Sequence, residues 1–176
     1  MADDVKNVVA FGGRSDILSN FHPFNFKVHG IEFSSSEQAY QWGKAVFHDR
    51  YGLAREILGI RSAFRIWLLS KKIRVSSSWH SRKVDLMRDI IRLKAEGCPR
   101  FKNSLLATGN KYIVEAVASD KFWSCGVKKA ELRFVNGRNW PGENQMGRLL
   151  MELRDQLRVP TAGKFNKHFT YSCWSR

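Results

Sequence analysis

Ser35-Ser36-Glu37-Gln38-Ala39-Tyr40-Gln41-Trp42-Gly43-Lys44-Ala45-Val46-Phe47 is the stretch on which the fold turns. Ser35 or Ser36 supplies an N-cap, and helix formers run from there to about Phe47. At 100° per residue, Glu37, Gln41, Lys44 and His48 fall within about 60° of one another and form one polar stripe. Ala39, Trp42, Gly43 and Val46 lie opposite, placed to pack on a core. Spacing alone favours a solvated face for the stripe, with a cleft as the alternative.

On the amino side of this helix, Val8 to Phe11 reads as a short strand, followed by the polar loop Gly12-Gly13-Arg14-Ser15. Phe24, Phe26 and Val28 alternate with polar residues, His29-Gly30 supplies a two-residue turn, and Ile31 and Phe33 resume the alternation, which predicts a hairpin. On the carboxyl side, helices are expected at Arg50 to Leu58, Ala63 to Ile73, His80 to Glu96 and Pro99 to Ala107. The last has Pro at an allowed first-turn position and Gly109 just past its end. Tyr112 to Ala118 reads as an apolar strand around Glu115, which is either a sheet-edge residue or a buried carboxylate. Ser119 to Gly142 is a long loop rich in Gly, Trp and Lys, and loops of that length are site candidates. A final helix from Glu143 to Leu157 sets Met146, Leu149, Leu150, Leu153 and Leu157 on one stripe that faces a core.

These elements predict an α+β fold, mainly helical, in a single compact domain with a small sheet or hairpin. The domain is expected over residues 1–158, and residues 159–176 form a basic C-terminal tail without usable periodicity. A chain of 176 residues can bury about two thirds of its unfolded surface. Its 43% hydrophobic, 12% aromatic and 26% charged composition excludes a disordered or fibrous chain. Apolar runs such as Ile66 to Leu69 fall far short of the ~20 residues that span a bilayer. The acidic start Met-Ala-Asp-Asp has neither an apolar signal core nor an Arg-rich amphipathic character, so a cytoplasmic or nuclear setting is expected, with no membrane partner. Cys98, Cys125 and Cys173 are widely spaced, with no CxxC pair and no His pair at ligand spacing, so reduced thiols are expected and no metal or cofactor is called for.

Charge is the loudest compositional signal: 30 Lys and Arg against 16 Asp and Glu give a formal +14. Residues 1–60 carry 6 basic and 7 acidic side chains, residues 61–111 carry 13 and 3, and residues 112–176 carry 11 and 6. A block of +10 draws phosphorylated ligands or nucleic acid, with an attraction that weakens as salt rises. Solubility alone is the plainer account of the same charge.

Gly12-Gly13-Arg14 and Ser19-Asn20 are small and hydrogen-bonding residues of the kind that let backbone approach a phosphate or ribose, although no Walker motif or GxGxxG is present. Asp120, at the head of the long loop, is a second acidic candidate. A turn-forming Asp is its equal alternative. Trp79 and Trp123 suit stacking on a heterocycle, and each suits a core anchor as well.

The ordered succession of motifs resembles the NADAR superfamily, the YbiA-like N-glycosidases. It is carried by Leu18-Ser19-Asn20-Phe21, by Ser36-Glu37-Gln38-Ala39-Tyr40-Gln41 followed by Lys44, and by Trp79 with Arg82 and Met87. It continues through Leu105-Leu106-Ala107-Thr108-Gly109-Asn110, Val114-Glu115-Ala116, Asp120 with Phe122-Trp123, and Trp140 with Gly142, Asn144 and Gly147. Only the tail beyond Arg158 lies outside it. Where the family usually has Trp-Gly-Ile-Gly this chain has Trp123-Ser124-Cys125-Gly126, a change expected to alter the pocket rim. Where the family usually has Asn-Leu-Leu-Gly it has Asn144-Gln145-Met146-Gly147.

The resemblance implies hydrolysis of the C1–N bond of a phosphorylated ribosyl compound, either a ribosylamine intermediate of riboflavin synthesis or an ADP-ribose conjugate. Removal of ADP-ribose from guanine in nucleic acid, held through the basic 61–111 region, is the runner-up. An inactive basic nucleic-acid-binding module is the contrasting class. Such cleavage builds positive charge on C1 and O4 of the sugar, which a carboxylate stabilises while it orients or deprotonates water, and Glu37 is the first choice. Asp120 is assigned to the leaving nitrogen, provided burial raises its pKa. Lys44 either binds phosphate as a fixed cation, the favoured role, or attacks C1 as a desolvated amine. Arg14 and the amides of Gly12 and Gly13 are expected to hold phosphate, Asn20 the ribose, and Trp79 or Trp123 the departing heterocycle. Gln41 completes the binding set.

Overall fold

Ser35 caps the deciding helix. Its backbone is extended and its hydroxyl accepts the Gln38 N–H at 3.1 Å, so α1 runs over Ser36–Phe47. The structure is a computed structural model that describes residues 7–28, 30–134 and 139–159, with only the backbone of 133 and 134 considered. His29 of the turn and the tail from residue 160, with Cys173, lie outside the described residues. Two compact groups of elements emerge, one formed by the chain up to Ser19 with Pro99–Val159, the other by Asn20–Cys98.

The second group holds α1 at its centre. The hairpin pairs β2 (Phe26–Val28) antiparallel with β3 (Ile31–Phe33), Lys27 opposite Glu32, and Gly30 takes the positive φ its turn requires. Phe26 and Phe33, directly paired, bring their rings to 5.8 Å, and Phe33 meets Trp42 of α1 at 5.7 Å. The helices α2 (Tyr51–Leu58), α3 (Ala63–Ser70) and α4 (Ser77–Gly97) all pack on α1. At Gly43 a Cβ would stand 2.8 Å from Leu86 of α4, so glycine is what lets α1 and α4 approach. Because neighbours surround it, α1 is buried on nearly every side, and the solvated stripe that spacing favoured is not found: Glu37 and Gln41 are each 5% exposed.

In the first group, β1 (Val8–Phe11) runs parallel to β4 (Tyr112–Glu115), in register from Val8 opposite Tyr112 to Phe11 opposite Glu115. β4 ends three residues before the expected Ala118, because the chain turns there into a knot of side-chain hydrogen bonds. The helices α5 (Pro99–Ala107) and α6 (Gln145–Arg158) pack together, and α6 lies on β4. Met146, Leu149, Leu150 and Leu153 are buried as their stripe requires, with Leu157 half-buried. Gly147 permits this contact, since a Cβ there would overlap the Ile113 carbonyl oxygen. Asn144, left-handed at φ 52°, precedes α6. The long loop carries a 3-10 turn over Lys129–Phe134. The fold is thus α+β and mainly helical, with two small two-stranded sheets among the described residues. No described helix is long and apolar enough to cross a membrane.

Candidate active site

Glu37 stands in the first turn of α1, where the helix dipole favours a negative charge. Its backbone N–H donates to the Asn20 carbonyl at 3.0 Å, which ties Asn20 to the helix start. Its Oε1 accepts from Gln41 Nε2 at 2.8 Å, the i,i+4 contact that the polar stripe predicts. That bond fixes the Gln41 amide, since the reverse orientation would set two oxygens against each other. Gln41 Oε1 is then buried with no hydrogen-bond partner among the described residues, and so is the Ser36 hydroxyl, 0% exposed one residue before Glu37. Buried acceptors are almost always satisfied in folded proteins, so these two oxygens leave unused hydrogen-bonding capacity beside the buried carboxylate.

Lys44, half-buried on the same stripe, has its pKa pulled below the usual 10.5 by burial, an effect the charge of Glu37 partly opposes. Its Nζ lies 3.4 Å from the Ser70 carbonyl at the end of α3. His48 is structural: Nδ1–H donates to the Lys44 carbonyl at 2.7 Å and Nε2 accepts the Ser76 N–H at 3.1 Å, joining the end of α1 to the start of α4. Gln38, a residue to which the helical pattern assigns no role of its own, is a clamp. Its Nε2 donates to the carbonyls of Ile57 and Ile60 at 2.9 and 2.8 Å at the end of α2, and its Oε1 accepts from the Ser34 N–H and hydroxyl. Asn20 is 6% exposed and its Nδ2 lies 3.4 Å from Met87 Sδ.

Trp79 takes the core-anchor alternative. It is 3% exposed, with ring centroids 5.4 to 5.6 Å from those of Phe47, Tyr40 and His48, so a heterocycle has no access to its faces. This corrects the stacking role for Trp79 and leaves Trp123 as the candidate.

The residues in the first group form their own arrangement. Asp120 Oδ1 accepts the N–H groups of Phe122 and Trp123 at 2.9 and 2.7 Å, the turn-forming alternative, and the residue is half-exposed. The burial on which its proton-donor role depended is not found. Trp123 is half-buried, with its ring at a right angle to Phe122. Ser124 and Cys125, where the sequence departs from Trp-Gly-Ile-Gly, are 0% exposed and do not form a rim. The Ser124 hydroxyl accepts the Val117 N–H at 2.7 Å and lies 2.7 and 2.8 Å from the Glu115 and Val117 carbonyls. Burial pushes the Cys125 thiol pKa up. Glu115 is the buried carboxylate of its two alternatives, 9% exposed. A Cβ on Gly12 would stand 3.3 Å from the Ala116 carbonyl, whereas Gly13, at φ 76°, has open space; Arg14 beside it is exposed. Among the described residues no three His, Cys, Asp or Glu side chains gather as a metal site.

Residues 11–158 match the NADAR domain family. The chain belongs to that family. Its relatives include an N-glycosidase of Acanthamoeba polyphaga mimivirus, R617, 33% identical over 147 residues that cover 80% of this chain and 86% of the viral protein. The N-glycosidase YbiA of Escherichia coli is 29% identical over 160 residues, covering 90% and 92%. The solution structure of E. coli YbiA superposes with a TM-score of 0.71 at 27% identity, covering 92% of this chain and 91% of YbiA. A third relative, a riboflavin biosynthesis protein of Vibrio vulnificus, is 30% identical over 142 residues, which span 80% of this chain but 35% of that protein.

Proposed function

We propose that this NADAR protein hydrolyses the C1–N bond of a phosphorylated ribosyl compound, with Glu37 as the group that stabilises the cationic sugar. The reaction class is that of an N-glycosidase, a hydrolase of N-glycosyl bonds. The observation that carries the reading is the buried Glu37–Gln41 pair with the two unsatisfied oxygens beside it, of Gln41 and Ser36. A carboxylate held away from water interacts strongly with positive charge developing on C1 and O4 and requires no reorganisation to do so. Gln41 fixes the carboxylate that does this, and Asn20 contacts the ribose. Gly13 and Arg14 on their exposed loop hold phosphate, with the amide of Gly12. Trp123 receives the departing heterocycle, and Asp120 holds the turn that places Trp123. No cofactor enters this chemistry.

The lowered pKa of Lys44 favours a second role for it beside charge binding. As a free amine it attacks C1 of the ring-opened sugar, the new N–C1 bond replacing the bond to the leaving nitrogen, which departs with a proton. Water then hydrolyses the imine and returns the amine. Borohydride added during turnover separates the roles, because an imine is trapped as a stable adduct on Lys44 and a fixed cation gives none.

The substrate is a ribosylaminopyrimidine phosphate of the riboflavin pathway or an ADP-ribose conjugate, with ADP-ribosylated guanine in an oligonucleotide as the runner-up. Each is incubated with the protein and the released base identified by mass spectrometry. Release from the mononucleotide alone discards the nucleic-acid substrate. Release from none of the three overturns the reading and leaves the inactive binding module. A cytoplasmic setting, where such compounds are made, completes the proposal.

A further inference from the structure

Helix α3 turns Ile66 and Ala63 inward, where Ile66 is 0% exposed, and leaves Phe64 58% and Leu68 46% exposed. Phe64 and Trp67, three residues apart, stack with ring centroids at 5.7 Å and planes 26° apart. Lys71 Nζ sits 3.7 Å over the Trp67 ring. Large exposed aromatics on a helix whose other face is already packed need a reason outside the fold. The surrounding charge supplies one. Residues 57–84 contain seven Lys and Arg and no Asp or Glu. Arg61, Arg65, Lys71, Lys72 and Arg74 are all exposed, and none of these five has an acidic partner among the described residues.

We propose that the outer face of α3 is a docking surface for single-stranded nucleic acid, with the exposed Phe64 ring stacking on a base, Trp67 supporting Phe64 from beneath, and the cations around them contacting phosphates. Stacked aromatic rings beside unpaired Arg and Lys are the combination by which proteins hold single strands without reading sequence. Duplex offers no exposed base faces to such a platform, so its binding rests on charge alone. A membrane surface attracts the same charge. An interfacial helix, however, buries a long apolar face, and α3 is two turns long with only Phe64 and Leu68 strongly exposed. This surface lies in the basic 61–111 region assigned above to the runner-up substrate and deepens that reading, while its test asks nothing of Glu37 or Lys44.

The test is fluorescence anisotropy of the full-length protein with labelled poly-dT, with the matching duplex, and in parallel with anionic phosphatidylserine vesicles. Single strand is expected to bind more tightly than duplex. Phe64→Ala is expected to weaken the single strand by about 5- to 160-fold, the range for loss of one stacked base, and to leave duplex unchanged. Arg61→Ala with Arg65→Ala is expected to reduce the slope of log K against log salt by about 1.4, two phosphate contacts on a single strand. Phe64 and both arginines are exposed, so these variants fold; Trp67→Ala, at a half-buried site, is compared after its melting curve is checked. Equal affinity for duplex and single strand with Phe64→Ala silent overturns the proposal, and so does binding to vesicles with none to poly-dT.

Discussion

In the loop between Ala116 and Asn144 the buried polar side chains are tied to backbone, whereas on α1 the buried Glu37 and Gln41 side chains bond one another. Asn144, 0% exposed, accepts the Glu115 N–H and donates to the Ile113 carbonyl, both at 2.9 Å, so its carboxamide completes the free edge of β4 as a neighbouring strand would. Ser124 and Asp120 likewise serve the backbone. On α1, Gln41 bonds a carboxylate and keeps an acceptor in reserve, as does Ser36. Groups that satisfy backbone build the scaffold, and a side-chain pair with spare hydrogen-bonding capacity is what the proposed active site rests on. The contrast is open to attack by mutation.

The largest effect is expected at Glu37. Replacing it by Gln keeps the shape and the contact with Gln41 while removing the charge, and turnover should fall by about 10²- to 10⁴-fold, as for loss of an acid–base group. The melting temperature should stay within a few degrees, because Gln fills the same volume and keeps an oxygen for the Gln41 amide. A loss of stability without loss of turnover would make α1 a scaffold like the loop.

Asn144→Ala is the reverse case. It strands the Ile113 carbonyl and the Glu115 N–H in a buried edge, at about 1–3 kcal/mol each, so a drop in melting temperature on the order of 10 °C is expected for a chain of this size. Turnover per folded molecule should remain near the parent value.

Lys44 sits between the two cases, and pH exposes its part. Burial disfavours its ammonium, so the folded pKa lies below the unfolded 10.5. The stability cost of the buried charge is present at pH below the folded pKa and is relieved as pH rises from there towards 10.5. If the amine attacks C1, kcat/KM rises with pH along a limb set by the lowered pKa. Lys44→Arg, which stays charged, should remove that limb and lower turnover by 10-fold or more. A Lys44 that only binds phosphate shows no such limb, and Lys44→Arg keeps most of the activity.

The helix periods, the hairpin and the α6 stripe were legible because each reflects one segment's own geometry: Ser35 caps where its hydroxyl can reach Gln38, and Met146 to Leu153 face one way on any helix. The burial of α1 was not, because a polar stripe reads the same on a free helix and on one ringed by α2, α3 and α4. The pairing of β1 with β4 joins residues a hundred positions apart, which local pattern does not carry. The site divides in the same way. Glu37 and Gln41 share a face by spacing alone, while Trp79 reads equally as platform or core until Tyr40, Phe47 and His48 are seen to enclose it.

Asp120 gives the smallest expected effect and the sharpest division between the two kinds of residue. Its Oδ1 accepts two backbone N–H groups, and Asn offers an oxygen in the same place. Asp120→Asn should therefore change melting temperature little and turnover by less than about threefold, whereas Asp120→Ala removes the acceptor and costs about 1 kcal/mol, the usual price of losing such a cap. A proton on the leaving nitrogen is another matter, since Asn cannot deliver one. If Asp120→Asn folds and melts like the parent yet loses two orders of magnitude in turnover, Asp120 joins Glu37 among the catalytic groups, and the long loop is more than scaffold.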